Sequence, residues 1–138
     1  MTSTPIDPTA VLVRALDALA LRQQVTASNI ANADTPGFQA SQVRFESILQ
    51  RALSMRPGEL SLMRTDPRHL LPGGLDPAQV EPHLVELSST RMRNDGNNVD
   101  IDYEMGLLAE TTLRYSAVSE ALARRLAIQR LIASDGRA

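Results

Sequence analysis

The run Asn94-Asp95-Gly96-Asn97-Asn98-Val99-Asp100-Ile101-Asp102-Tyr103-Glu104 concentrates side-chain oxygens in one short span. The chemistry such a cluster suggests is calcium binding. A helix–loop–helix calcium loop needs oxygen ligands at its first, third and fifth positions and glycine at its sixth. Aligning Gly96 with that glycine puts Arg91 first, and starting the loop at Asp95 puts Val99 fifth, so neither register binds. The run reads instead as an Asp-Gly turn leading into a helix capped by Asp100, with Asp102 and Glu104 as acids in its first turn. His69 and His83 are the only histidines, and neither belongs to a metal-ligand spacing. Nucleophile, phosphate-loop and dinucleotide motifs are absent. A paired-carboxylate glycosidase needs no fixed spacing, but its rigid, walled cleft sits badly with a chain whose only aromatics are Phe38, Phe45, Tyr103 and Tyr115. The expectation is a protein that is not an enzyme and uses no cofactor, no metal and no small-molecule substrate.

A second polar concentration, Asn29-Ile30-Ala31-Asn32-Ala33-Asp34-Thr35-Pro36-Gly37-Phe38, suits geometry better than catalysis. Asn32 can end a helix in a left-handed conformation, and Asp34 or Thr35 can bond back to nearby backbone. Thr35-Pro36-Gly37-Phe38 fits a type II turn, with Pro36 fixing φ at the second position and Gly37 supplying a positive φ at the third. Ile30 and Phe38 are the expected apolar anchors on either side of this corner.

Two long helices must position these segments. Asp7-Pro8 is a helix start, and no Gly or Pro interrupts the chain from there to Asn32. Leu12, Leu16, Leu19 and Ile30 draw an apolar seam along that helix, expected over 8–32. A second helix is expected over 100–134, where Met105, Leu108, Tyr115, Leu122 and Leu126 fall on a heptad seam with polar interruptions. Leu107, Leu113, Val118, Ile128, Leu131 and Ile132 lie off that seam, and a helix apolar on several sides usually has several partners. The stretch 33–99 is an irregular excursion, with a short amphipathic helix near 42–53 and a strand-like alternation over 83–90.

The fold class expected is therefore mainly α: one domain over 1–138, two long terminal helices in an antiparallel, coiled-coil-like hairpin, and a partly helical or β centre. The net charge of −2 and the scatter of the 14 basic residues, all Arg, give no case for nucleic acid. With no cysteine there is no disulfide framework. No run is long and apolar enough for a membrane span, and the opening residues lack the basic and apolar regions of a cleaved signal peptide.

The run Thr26 to Phe38 resembles the N-terminal signature of bacterial flagellar rod and hook proteins, in which a long helix ends in an Asn-rich, Thr-Pro-Gly-aromatic corner. Asp95 to Met105, followed by Leu108-Ala109-Glu110 and Arg114-Tyr115, resembles the C-terminal half of the FlgB family of proximal-rod proteins. Thr65-Asp66-Pro67-Arg68-His69-Leu70 is similar to that family's middle region. Other axial proteins usually carry an Arg-aromatic-Glu-Ala-Asn run near the end, where this chain has Arg114-Tyr115-Ser116-Ala117-Val118.

The resemblance implies a structural subunit of the proximal rod in the periplasmic part of the flagellar basal body. It further implies a hollow shaft built from the terminal helices, which transmits torque and passes exported subunits. The partners implied are further copies, the rod subunits FlgC, FlgF and FlgG, the adaptor FliE, the inner-membrane MS ring and the flagellar type III export apparatus. Export would then need no cleaved signal. The alternatives are another rod protein such as FlgC, or a soluble or secreted helical adaptor outside the rod.

Overall fold

The computed structural model describes residues 7–54, 76–88 and 93–134. Helix α1 spans Pro8–Ala31, strand β1 Ser41–Arg44, helix α2 Glu46–Ser54, strand β2 His83–Glu86 and helix α3 Ile101–Ala133, with a single 3-10 turn at Pro77–Gln79 before β2. The architecture is mainly helical, two long helices with a small sheet and a short helix between them.

Local chemistry sets the helix ends. The Asp7 carboxylate accepts from the Thr9 amide at 2.9 Å, and Pro8 takes the first helical position, where its missing N–H costs nothing. Asp100 caps α3, accepting from the Asp102 and Tyr103 amides at 3.1 Å each. Asn32 ends α1 with φ −102°, which is not the left-handed conformation expected of it. Its backbone N–H and its side-chain amide both donate to the Ser28 carbonyl, at 3.1 and 2.8 Å, closing the helix end without a positive φ.

α1 and α3 run antiparallel over the full length of α1. Arg125 Nε donates to Thr9 Oγ1 at 2.9 Å near one end, Gln23 Nε2 reaches Thr112 Oγ1 at 3.3 Å, and Asn29 meets Glu104 at the other end. On α1 the inward line includes the half-buried Leu12 and Leu16 and the buried Leu19. On α3 the inward line keeps Leu108 and Leu122 of the apolar heptad but departs from it at Met105, Tyr115 and Leu126. Glu104 and Thr111 are buried and Leu107, Leu108, Val118, Leu122 and Arg125 half-buried, while Met105, Tyr115 and Leu126 are exposed, Met105 by 55%. The heptad reading follows the bulkiest apolar side chain at each step, but the line that faces α1 carries polar groups made tolerable by hydrogen bonds. Thr111 Oγ1, for example, donates to the Leu107 carbonyl at 2.7 Å. Nothing in the structure requires glycine at Gly106, where an added Cβ would meet no atom within 4 Å.

The excursion folds against the corner end of this pair. β1 and β2 are antiparallel with Ser41 opposite Glu86 and Arg44 opposite His83. Leu87 N extends the pairing by donating to the Ala40 carbonyl at 2.8 Å. Residues 42–44, expected within the short helix, form strand instead, and the helix starts at Glu46. Val43 is buried between exposed Arg44 and half-buried Gln42, the alternation of a half-covered strand, so the amphipathic pattern over 42–53 joins two elements of different period. The segment Thr65–Leu70, His69 included, and the last residues of the 83–90 alternation lie outside the described residues.

Two apolar clusters result among the described residues. Ala18, Phe45, Ala52 and Val80 form one, with Ala15, Ile48 and Leu49 packed against it; Ala33, Ala40 and Val99 form the other, with Phe38 and Leu87. Beside the first, the Arg22 guanidinium forks onto the Glu46 carboxylate and donates to the Val43 carbonyl at 3.1 Å. Arg114 of α3 approaches the same carboxylate at 3.6 Å and pairs with Glu110 at 2.5 Å. The hydrogen bond from Arg22 holds the Glu46 carboxyl below the usual carboxylate range. α2 is thus tied to both long helices by one half-exposed charge network.

Candidate functional site

The two polar segments singled out in the sequence form a single joint. At the corner, Phe38 N donates to the Thr35 carbonyl at 3.3 Å and Gly37 takes φ +73°, the turn that Pro36 and Gly37 are suited to. In the second segment Gly96 takes φ +84°, and a Cβ built there would lie 3.7 Å from Gly37 Cα. The two glycine turns sit against each other, and Gly37 N donates to the Asp95 carbonyl at 3.0 Å.

Asn97 fastens the joint. Its side chain is 0% exposed, and Nδ2 lies 2.9 Å from the Asn32 carbonyl, 3.0 Å from that of Ala33 and 2.9 Å from that of Thr35. Each of those carbonyls, at the end of α1 and in the following turn, also accepts from a second donor, Thr35 N, Arg93 and Phe38 N respectively, so Asn97 adds to bonds already made there. Its Oδ1 accepts from the Val99 amide at 2.7 Å, so the same residue shapes the entry to α3. Asn98 bridges the strands' ends, accepting from the Ala40 amide at 2.6 Å and donating to the Leu87 carbonyl. Gln39 Nε2 donates to the Gly96 carbonyl at 2.7 Å, and Arg93 donates to the Ala33 carbonyl at 2.8 Å.

Asn29, also buried, works from the helix side. Its Nδ2 donates to the Ser41 carbonyl at 2.8 Å and to Glu104 Oε1 at 3.1 Å, and its Oδ1 accepts from the Ser41 amide at 3.1 Å. It therefore mimics a neighbouring strand for β1 while holding α3. Of the remaining residues singled out, Val99 belongs to the second apolar cluster, with Phe38 packed on it, and Ile30 is half-buried. Asp34, Thr35, Pro36, Asp95, Asp100 and Asp102 are exposed. Among the described residues Asp34 makes no bond back to backbone. It faces Arg93 at 3.3 Å, and Thr35 Oγ1 bonds the Asn32 side chain.

Arg93, Gln39 and Ser41 are members of the joint that residue spacing does not reveal, because each is placed by a contact distant in sequence. An open groove of about 420 Å³ runs beside the corner, lined among others by Val25, Ser28, Phe38, Leu84 and Glu86. Among the described residues no three His, Cys, Asp or Glu side chains are grouped to hold a metal ion, and no helix is long and apolar enough to cross a membrane. The arrangement fixes directions: where α1 ends, where β1 starts and where α3 begins.

Gly37→Val is expected to destabilise the fold by about 1 to 2 kcal/mol, the cost of a left-handed conformation for a residue with a Cβ. An added Cβ at Gly37 meets nothing within 4 Å, so that cost lies in the backbone and not in a clash. Gly37→Asn should recover much of it, since asparagine tolerates that region. Urea denaturation of the variants measures both.

Residues 10–39, from α1 into the corner, match the family model described as flagella basal body rod protein. The flagellar basal body rod protein FlgB of Borreliella burgdorferi is 42% identical over 104 residues, 74% of this chain and 77% of that protein. The chain belongs to the FlgB family. FlgB of Bacillus subtilis is 34% identical over 109 residues, 79% of each chain, and FlgB of Escherichia coli K12 is 34% identical over 117 residues, 81% of this chain and 82% of that one. The FlgB resemblance noted in the sequence thus becomes a family assignment, in preference to FlgC or a helical adaptor.

Proposed function

We infer that this FlgB-family chain is a structural subunit of the flagellar basal-body rod, held in shape by the corner joint and assembled through the outward faces of its long helices. The observation that carries the assembly reading is the outward face of α3. Leu113 is 73% exposed and Ile132 70%, with Ile128 and Leu131 also open to solvent. Exposed apolar side chains along a helix paired on its other face are what association with further subunits would bury, and burial on assembly adds stability that the single chain lacks. The names of the relatives supply the assembly, the basal body rod.

On this reading the chain stacks with further copies and with FlgC, FlgF and FlgG, meets the adaptor FliE and the MS ring, and reaches the periplasmic rod through the flagellar export apparatus. Its role is mechanical, with no catalytic step. Leu113→Arg provides the test. Introduced into a strain lacking the native chain, it is expected to reduce swimming and rod assembly at least tenfold. The purified variant should keep wild-type helicity, because residue 113 touches no core cluster. Normal motility with Leu113→Arg would remove α3's outer face from the assembly surface.

A further inference from the structure

Glu104 is a carboxyl that the rod role does not explain. It is 2% exposed and sits where α1, β1 and α3 meet. Oε1 accepts from Asn29 at 3.1 Å, and through Asn29 the contact continues to both the amide and the carbonyl of Ser41. Oε2 is buried with no hydrogen-bond partner among the described residues.

Among the described residues the groups around Glu104 offer no counter-charge. α1 presents the neutral amide of Asn29, with neutral Ser41 of β1 behind it. The nearest guanidinium along α1, Arg22, is committed to Glu46, and Arg44 of β1 is exposed. On α3 itself the charge that acts on Glu104 is Asp100, of the same sign. A buried carboxylate with one neutral donor, one bare oxygen and a like charge nearby is costly, and the cheap state is the neutral acid.

We propose that Glu104 is a proton-controlled latch, neutral while the joint between α1, β1 and α3 is closed and loosening that joint when it ionises. Burial pushes its carboxyl above the usual glutamate range, against the opposing effect of the Asn29 hydrogen bond, and the Asp100 charge adds a smaller push in the same direction as burial. The sign follows from proton linkage. An acid whose folded value is raised binds its proton more tightly folded than unfolded. Its stabilising contribution is complete below the unfolded value of about 4.3 and is lost as pH rises through the folded value.

The test is a carboxyl-carbon NMR titration of the full chain, labelled at glutamate. Beside it, amide hydrogen exchange at Ser41 is followed across the same pH range and expressed as protection factors. Glu104 is expected to titrate above the other glutamates. Ser41 protection should fall by up to tenfold for each pH unit by which that midpoint is raised. Glu104→Gln keeps an acceptor for Asn29 and should hold Ser41 protection flat with pH. A Glu104 midpoint at the ordinary glutamate value overturns the proposal, as does a fall in Ser41 protection that persists in Glu104→Gln. Should the variant fail to fold, the wild-type midpoint decides alone: raised it supports the latch, ordinary it overturns it.

Discussion

Asn97→Ala is expected to cost about 3 kcal/mol or more of folding stability, a large share of what a domain of this size possesses. The side chain is fully buried, its amide group serves three main-chain carbonyls, and its oxygen serves the Val99 amide. Truncation takes the acceptor from the Val99 amide and one of two donors from each carbonyl, and each unmade bond costs about 1 kcal/mol or more. Asn97→Asp is the sharper variant. It keeps the size and the acceptor for Val99 but turns a carboxylate oxygen toward three carbonyl oxygens. Its loss should therefore exceed that of alanine at neutral pH and shrink as the carboxyl is protonated in acid. Urea denaturation followed by circular dichroism at two pH values measures both effects. An aspartate variant as stable as wild type at neutral pH would mean that the amide does not hold the corner.

Phe45→Ala should cost about 3 to 5 kcal/mol, the range for deleting a buried aromatic side chain. Phe45 is 3% exposed and joins α1 through Ala18, α2 through Ala52 and the turn before β2 through Val80. With so few large side chains in the chain, no neighbour can fill the void. The loss should fall on α2 first, because α1 and α3 retain their own contact. Hydrogen exchange should then show α2 amides deprotected well before those of α1, while Phe45→Leu retains most of the protection. Uniform loss across all three helices would show that the excursion and the hairpin unfold as one unit.

The two long helices were legible because their signals are local. Asp7-Pro8 and Asp100 are cap chemistry, and the runs between them and the far ends hold no proline. The turn at Gly37 was legible for the same reason. The inward face of α3 was not, since apolar periodicity points to Met105 and Leu126 while the contact line passes through Glu104 and Thr111. Polar residues on a buried line are identified only by their partners, and Asn29, the partner of Glu104, lies 75 positions away in the chain. The Asn-rich corner and the Asp-Gly-Asn-Asn run were each visible as turns. That they are two halves of one joint depends on Asn97 reaching residues 62 to 65 positions earlier, which no local pattern encodes. The strand at Ser41–Arg44 was hidden likewise, because part of its edge is paired by the Asn29 side chain.

The joint and the exposed outer face meet in one physical picture. The core is thin, and on the proposed assembly much of the apolar surface goes to neighbours, so the directions of the helices must be set by something other than core volume. Buried asparagines that bond main-chain groups do that, because their geometry is far more exacting than apolar contact. The most direct test of the chain's role is electron microscopy of basal bodies purified from a strain in which its gene is deleted. The rod is expected to be missing while the membrane-embedded ring remains, and the rod should return on complementation with the wild-type chain. A complete rod in the deletion strain would contradict the account.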